Sequence, residues 1–262
     1  MSSTVHKALE LLGLFNQAKT EIGLSEMARL AETDKATTHR LLTTLSKHGL
    51  VEQNIRSKLY RLGAGTLRLA RMREASFPIS ELIDPALKDL AAKTGETVHA
   101  SLIAGNTLAT IGMIESQKAI HVSMGAGDSL PFHATASGIA ILGFLPEERA
   151  VAILKSNSSA YTKHTPTQYQ DLLKLANQAR ARGYAVAEQS YESDVIGIAS
   201  PFFSADGMVC GAVAVATPSH RVNRDVRAAT IRAVFETAIS VTWKMGAEPP
   251  AHFASSFRKV AA

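Results

Sequence analysis

Residues 33–49, TDKATTHRLLTTLSKHG, constrain this chain more than any other stretch, because they read as one helix with two unlike faces. Leu41, Leu42 and Leu45 recur at helical spacing and need an apolar partner. Lys35, Thr37, Arg40, Thr44 and Lys47 fall mostly on the other side, a strip of hydroxyls and cations. Asp34 or Thr33 can accept the first free amide hydrogens, and Gly49 suits the C-terminal cap. Just upstream, Leu24–Ala31 reads as a shorter helix with Ser25 as its cap and Met27, Ala28, Leu30 and Ala31 apolar. Glu32–Asp34 is the turn between them. Two short helices joined this way form a helix-turn-helix, whose second helix can enter a DNA major groove.

The flanking segments support that reading. Val5–Phe15 is predicted to be the first helix, with Val5, Ala8, Leu9, Leu12 and Phe15 as its apolar stripe. Leu50–Gln53 and Leu59–Leu62 alternate around the polar turn Asn54–Lys58, a hairpin pattern. Placed after a recognition helix, the hairpin is a wing, and Arg56 and Lys58 at its tip can reach phosphate or the minor groove. Charge follows the same division. Residues 1–74 hold twelve Lys and Arg against seven Asp and Glu, so the whole net charge of +5 lies there. A basic head on a neutral body suits a polyanion on one side and a different task on the other.

Gly63–Glu74 reads as a linker helix with Leu67, Leu69, Ala70 and Met72 apolar, and Pro78 breaks it at a domain boundary. The second module opens with a helix over Ser80–Lys93, carried by Leu82, Ile83, Ala86, Leu87 and Leu90. Thr97–Ile103 and Thr107–Glu115 form a hairpin around Ala104-Gly105-Asn106, and Ile120–Met124 reads as a shorter strand. The Gly-rich loop Gly125–Pro131 lacks the Lys and spacing of a phosphate-binding loop. Helices follow at His133–Phe144, from Pro146, and at Thr167–Arg182. Three strands come next, Tyr184–Gln189, Gly197–Phe203 and Val209–Ala216, and then a long helix over Asn223–Met245. Pro249-Pro250 is expected to end ordered structure. The result is an α+β chain whose second half is an antiparallel sheet flanked by helices.

With 262 residues, 46% of them hydrophobic, the chain is long enough for more than one core. No apolar run approaches the ~20 residues of a membrane span. The N-terminal apolar stretch is interrupted by Glu10, unlike a signal peptide. The single cysteine, Cys210, has no internal disulfide partner and fits a reducing cytoplasm. Its setting, Met-Val-Cys-Gly-Ala-Val, is that of a buried hydrophobe.

Several ordered motifs resemble the IclR family of bacterial transcription regulators. In the first half they are Lys7-Ala-Leu-Glu-Leu-Leu12, Lys35-Ala-Thr-Thr-His-Arg-Leu-Leu42 and Tyr60-Arg-Leu-Gly63. In the second they are Gly95-Glu-Thr-Val-His99, Pro131-Phe-His-Ala-Thr-Ala-Ser-Gly138, Arg182-Gly-Tyr184 and Ile198-Ala-Ser-Pro201. The resemblance spans roughly residues 4–245. It implies a winged helix-turn-helix (residues 1–62), a linker helix (63–77), a GAF-like α/β effector-binding and oligomerisation domain (78–246) and a flexible tail (247–262). It also implies a homo-oligomer, a dimer or dimer of dimers, on palindromic double-stranded operator DNA, with no cofactor and no membrane partner.

By that resemblance Lys35, Thr37, Thr38 and Arg40 face the DNA, supported by Ser25 and the wing; Thr44, Lys47, Arg56 and Lys58 complete the candidate set. Arg40 can donate two hydrogen bonds to a guanine edge, whereas Lys35 and Lys47 suit phosphates. Thr38 also lies near the Leu41–Leu42 face. The candidate effector-binding residues are Met113, Thr135, Ala136, Ser137, Gly138, Ala187, Gly197, Ala199, Ala214 and Ala216. Where family members that bind small carboxylic acids carry polar side chains, this chain has Ala187, Ile196 with Gly197, and Ala214 with Ala216. The amides of Ala136, Ser137 and Gly138, with the hydroxyls of Thr135 and Ser137, remain to hold a carboxylate at a helix start. A roomy apolar pocket on such a floor suits an aromatic or longer-chain acid. Alternatively the alanines simply pack, and the second domain is only an oligomerisation scaffold.

Catalysis and metal binding have weaker support. There is no Gly-x-Ser-x-Gly elbow. His99, His121 and His133 lack the short spacing that makes a metal site specific.

Overall fold

The computed structural model describes residues 4–15, 19–76, 79–123, 125, 129–156, 159–204 and 206–261. Pro78, Met124 and residues 126–128 of the Gly-rich loop fall outside these, so the expectations placed on them do too. The chain divides into two compact units, Met1–Ile79 and Ser80–Ala262.

In the first unit, helices α1 (Thr4–Gly13), α2 (Leu24–Leu30) and α3 (Lys35–Lys47) precede strands β1 (Val51–Gln53) and β2 (Tyr60–Leu62), and α4 (Ala64–Ser76) follows. The core is Leu11, Ile22, Met27, Leu41, Leu42, Leu45, Val51 and Tyr60. The strands pair antiparallel, and Ile22 adds a bridge to Tyr60 through backbone bonds of 2.8 and 2.9 Å. Helix α3 begins where Asp34 Oδ1 accepts the Thr37 amide at 2.8 Å. It stops at Gly49, whose φ of 71° disfavours any side chain. There the Gly49 amide donates to Ser46 and the Leu50 amide to Leu45, closing the last turn.

Three local expectations are corrected here. The residue before α2 is Gly23, with no side-chain cap, and Ser25 lies exposed within the first turn. The expected apolar stripe of α1 divides: Ala8, Leu12 and Phe15 pack partly buried against the core, Val5 and Leu9 are 68% and 59% exposed, and the fully buried residue is Leu11, which lies outside that stripe. That helix is apolar on more than one flank, and a core this small covers only one. On α4, Leu67, Leu69 and Met72 are also exposed.

The second unit is built on a six-stranded antiparallel sheet in the order β5-β4-β3-β8-β7-β6. The strands are β3 (Thr97–Ala104), β4 (Thr107–Ile114), β5 (Ser129–Leu130), β6 (Ala185–Glu188), β7 (Val195–Phe203) and β8 (Val209–Pro218). Its helices are α5 (Ile79–Thr94), α6 (Ala136–Leu142), α7 (Glu147–Ser156), α8 (Tyr169–Arg182), α9 (Arg224–Lys244) and α10 (Ala251–Ala261). Both α6 and α9 pack on β7 and β8. The seam under α6 consists of small residues, Ala136 and Ala140 meeting Ala185, Ala187, Ala199 and Ala214. An added Cβ on Gly197 would sit 3.2 Å from the Ala136 methyl, so helix and sheet are already close.

Ile120–Met124 is not a strand among its described residues. Its carbonyls are taken by side chains instead of a ladder: Thr97 Oγ1 donates to Val122 at 2.6 Å and Arg221 to Ile120 at 2.8 Å. Glu96 anchors the same corner, accepting from Arg221 Nη2 and from Lys118, each at 2.7 Å. Burial pushes the Glu96 carboxyl up, but Arg221 and Lys118 together hold it below the usual range.

The expected flexible tail is wrong as well. Pro249-Pro250 precedes a helix, a position where proline is tolerated. Phe253 of α10 is fully buried, its ring 4.5–5.6 Å from those of Phe235, Phe203 and Phe144.

Candidate functional site

Helix α3 buries Thr38, Leu41, Leu42 and Leu45. By helical periodicity the line opposite carries Ala36, Arg40, Thr43 and Lys47, all exposed. Lys35 and Thr44 are exposed on its flanks, and Thr37 is half-buried. Ala36 and Thr43 were missed by the sequence reading, which weighted donors and cations and passed over a methyl group that thymine can meet. Thr38 is the reverse case. It is completely buried, its hydroxyl 2.9 Å from the Asp34 carbonyl and 2.7 Å from Thr33 Oγ1. It belongs to the core and cannot face DNA.

The basic side chains sort by whether a carboxylate already holds them. Lys19 is paired with Glu26 at 2.7 Å, and Arg61 with Glu52 at 2.6 Å and Glu21 at 3.6 Å. Lys35, Arg40, Lys47, Arg56 and Lys58 make no ion pair among the described residues. The wing tip that carries the last two is tied by side-chain hydrogen bonds. Asn54 Oδ1 accepts from the Arg56 and Ser57 amides at 2.9 and 3.2 Å, and Gln53 Nε2 donates to the Lys58 carbonyl at 2.9 Å.

The second unit contains a cavity of about 60 Å³ beside the start of α6. Of the candidate effector residues, Thr135, Ala136, Ser137, Ala187, Gly197, Ala214 and Ala216 line it; Met113, Gly138 and Ala199 do not. Ala199 is fully buried in the alanine seam. Gly138 lies against the Phe132 backbone, where an added Cβ would sit 2.2 Å from the carbonyl oxygen. The anion-binding floor is narrower than the sequence suggested. Thr135 Oγ1 accepts the Gly138 amide at 3.1 Å and donates to the Pro131 carbonyl at 2.7 Å, so that hydroxyl and that amide are satisfied within the protein. The Ala136 and Ser137 amides remain, with the Ser137 hydroxyl in contact only with His99 Nε2, at 3.4 Å, among the described residues.

The sequence reading missed the cavity's polar members, His99, Tyr191 and Glu192. His99 is only 6% exposed, and its Nε2 lies 3.4 Å from Ser137 Oγ. Its Nδ1 has no partner among the described residues. Burial lowers its pKa to about 4, so the ring is neutral. A signal was present, since His99 closes the Gly95-Glu-Thr-Val-His99 motif, but it was weighed only as a metal ligand. Among the described residues no group of His, Cys, Asp and Glu could hold a metal. His121 is instead 2.8 Å from the Lys118 carbonyl, and His133 2.9 Å from that of Ser159. Burial pushes the Cys210 thiol up to about 11, far from a nucleophile's range.

Two family patterns match the chain, one after the other. The sequence pattern of the IclR helix-turn-helix domain matches residues 4–54, and that of the bacterial transcriptional regulator IclR C-terminal domain matches residues 74–243. The HTH-type transcriptional regulator XynR of Escherichia coli is 30% identical over 236 residues, covering 90% of this chain and 93% of XynR. The transcriptional repressor AllR of Salmonella typhimurium is 25% identical, covering 95% and 92%. Among solved structures, an IclR-type regulator from a Silicibacter species has a TM-score of 0.86 at 38% identity, over 96% of this chain and 99% of that one. An IclR homologue from Microbacterium hydrocarbonoxydans, crystallised with 4-hydroxybenzoate, shares the fold at a TM-score of 0.75 and 22% identity, over 93% and 99%.

Proposed function

The chain belongs to the IclR family of bacterial transcription regulators, with a helix-turn-helix domain and an effector domain, and from that premise we propose how its two sites divide the work. Helix α3 reads operator DNA through Arg40, with Ala36, Thr37, Thr43 and Thr44 along the groove floor. Lys35, Lys47 and the wing residues Arg56 and Lys58 grip phosphates. The observation that carries this reading is the set of unpaired cations on α3 and the wing tip, beside basic neighbours already neutralised by carboxylates. Ser25 supports the contact from α2. The protein acts in the cytoplasm as a dimer or a dimer of dimers, and the exposed Val5, Leu9, Leu67, Leu69 and Met72 supply apolar surface for that assembly.

The effector is a small organic acid with an apolar body, its carboxylate on the Ala136 and Ser137 amides and the Ser137 hydroxyl. A cavity of about 60 Å³ has room for roughly four to six waters. An aromatic acid such as 4-hydroxybenzoate, the ligand of the Microbacterium homologue, therefore needs the wall around Ala136 and Tyr191 to move outward. The close alanine seam favours a second reading, in which the domain only assembles the oligomer. One experiment separates the two. Operator binding is titrated by fluorescence anisotropy with glyoxylate, pyruvate, benzoate and 4-hydroxybenzoate. The effector reading expects at least one acid to shift the operator affinity; no response across the set supports the scaffold.

A further inference from the structure

The cavity presents an electrostatic problem to any acid that enters it. Among the described residues no Lys or Arg lines it, and the one carboxylate on its wall, Glu192, has the wrong sign. A carboxylate leaving water without a counter-charge loses several kcal/mol of solvation, and two amides and a hydroxyl restore only part of that. Among the described residues His99 is the one group on the wall able to become a cation. It is buried beside Ser137 with a ring nitrogen unpartnered, so it already lies at the carboxylate's expected seat.

We propose that the acid effector binds together with one proton, taken from solvent onto His99, so that a neutral carboxylate–imidazolium pair occupies the cavity. The inference rests on the acid-effector reading above. Its physical basis is the usual reversal: burial favours the neutral ring in the empty protein, and an opposite charge within a few ångströms favours the charged one. Among the described residues nothing else near His99 competes for this role. In register on β8 it meets Ala214, on β4 Met113, and from α6 it faces Ser137. Along its own strand, the Thr97 hydroxyl is bound to Val122 and the buried Ser101 hydroxyl is unpartnered. Among the described residues Glu192 is the only charged group on the cavity wall; it is exposed, with its carboxyl raised by partial desolvation.

The test is calorimetry on the full chain with glyoxylate, pyruvate, benzoate and 4-hydroxybenzoate, at pH 7 in two buffers of different ionisation enthalpy. Each acid that binds is expected to take up close to one proton per site, and its affinity to weaken as pH rises. His99→Gln, which keeps hydrogen-bonding capacity but cannot be protonated, is expected to bind at least tenfold more weakly with no proton uptake. Binding without proton uptake in the native protein, which needs no variant, overturns the proposal and leaves the acid reading standing. Uptake that persists in His99→Gln also overturns it. If none of the four acids binds, the acid reading falls and this inference falls with it.

Discussion

Helices α3 and α6 begin with the same device and end in opposite environments. Each has an N-cap side chain accepting the amide three residues on, Asp34 for α3 and Thr135 for α6. Around α3 that cap stands in water, and half the helix is exposed. Every residue of α6 is buried. In water, charges act weakly but at a distance, so α3 can collect a polyanion with several uncommitted cations. In the apolar interior one unpaired charge dominates, so α6 can work with two amides, a hydroxyl and one titratable ring. The lesson is that changes at α6 should register first as stability, and changes on the outer face of α3 as affinity.

The sharpest break of that contrast is Gly138→Ala. The new methyl meets the Phe132 backbone, which cannot yield like a side chain, and a loss on the order of 3 kcal/mol is expected in urea unfolding. Gly49→Ala at the end of α3 is strained only by its positive φ and should cost about 1–2 kcal/mol. Equal costs would mean that α6 is not confined as described.

Next comes pH. The folded-state pKa of His99, about 4, lies below the ordinary 6.5 of an unfolded histidine. Between those values the unfolded chain binds the extra proton, so stability is full above the upper value and declines as pH falls toward the lower one. The loss is roughly 3 kcal/mol at most. Denaturation midpoints across pH 7–4 should decline less steeply in His99→Phe than in the native protein.

On α3 the expected readout changes to binding. Arg40→Ala should weaken operator binding by about 1–3 kcal/mol and relax sequence preference, with the urea midpoint almost unmoved. Lys47→Ala should do less, weakening all sequences alike and reducing the slope of log affinity against log salt by about 1. A loss of sequence preference in the Lys47 variant would reverse these two roles.

How much could be read from the sequence follows the range of the forces involved. Helix α3 was legible because its caps, its periodicity and its stop at Gly49 all lie within seventeen residues. Thr38 was placed on the DNA side by the family resemblance, while its helical position near Leu41 and Leu42 already pointed inward; its hydroxyl is occupied by backbone and by Thr33. The pocket wall was half legible. Small residues at Ala187, Gly197, Ala214 and Ala216 marked the surface, but the same alanines let α6 settle close and shrink the space they were expected to open. The place of His99 in the cavity was not legible because it depends on Ser137, thirty-eight positions away. The error over Pro249-Pro250 has the same origin: a helix after two prolines is decided by the distant rings of Phe144, Phe203 and Phe235.

The strand order has a consequence for how this chain is made. At the centre of the sheet Thr97 lies opposite Ala216, so β3 waits for a partner synthesised more than a hundred residues later. At about 5–20 residues per second that interval lasts roughly 6–20 s. Throughout it the β3–β4 hairpin presents an open inner edge with Val98 and Ala100, the kind of edge that another chain can pair with. The first unit shows no such dependence among its described residues, because strands β1 and β2 and the Ile22 bridge lie within residues 22–62 and can close as they emerge. The basic head is thus expected to be folded on the ribosome while the sheet of the second unit is still incomplete, which makes β8 the step on which the yield of soluble protein depends.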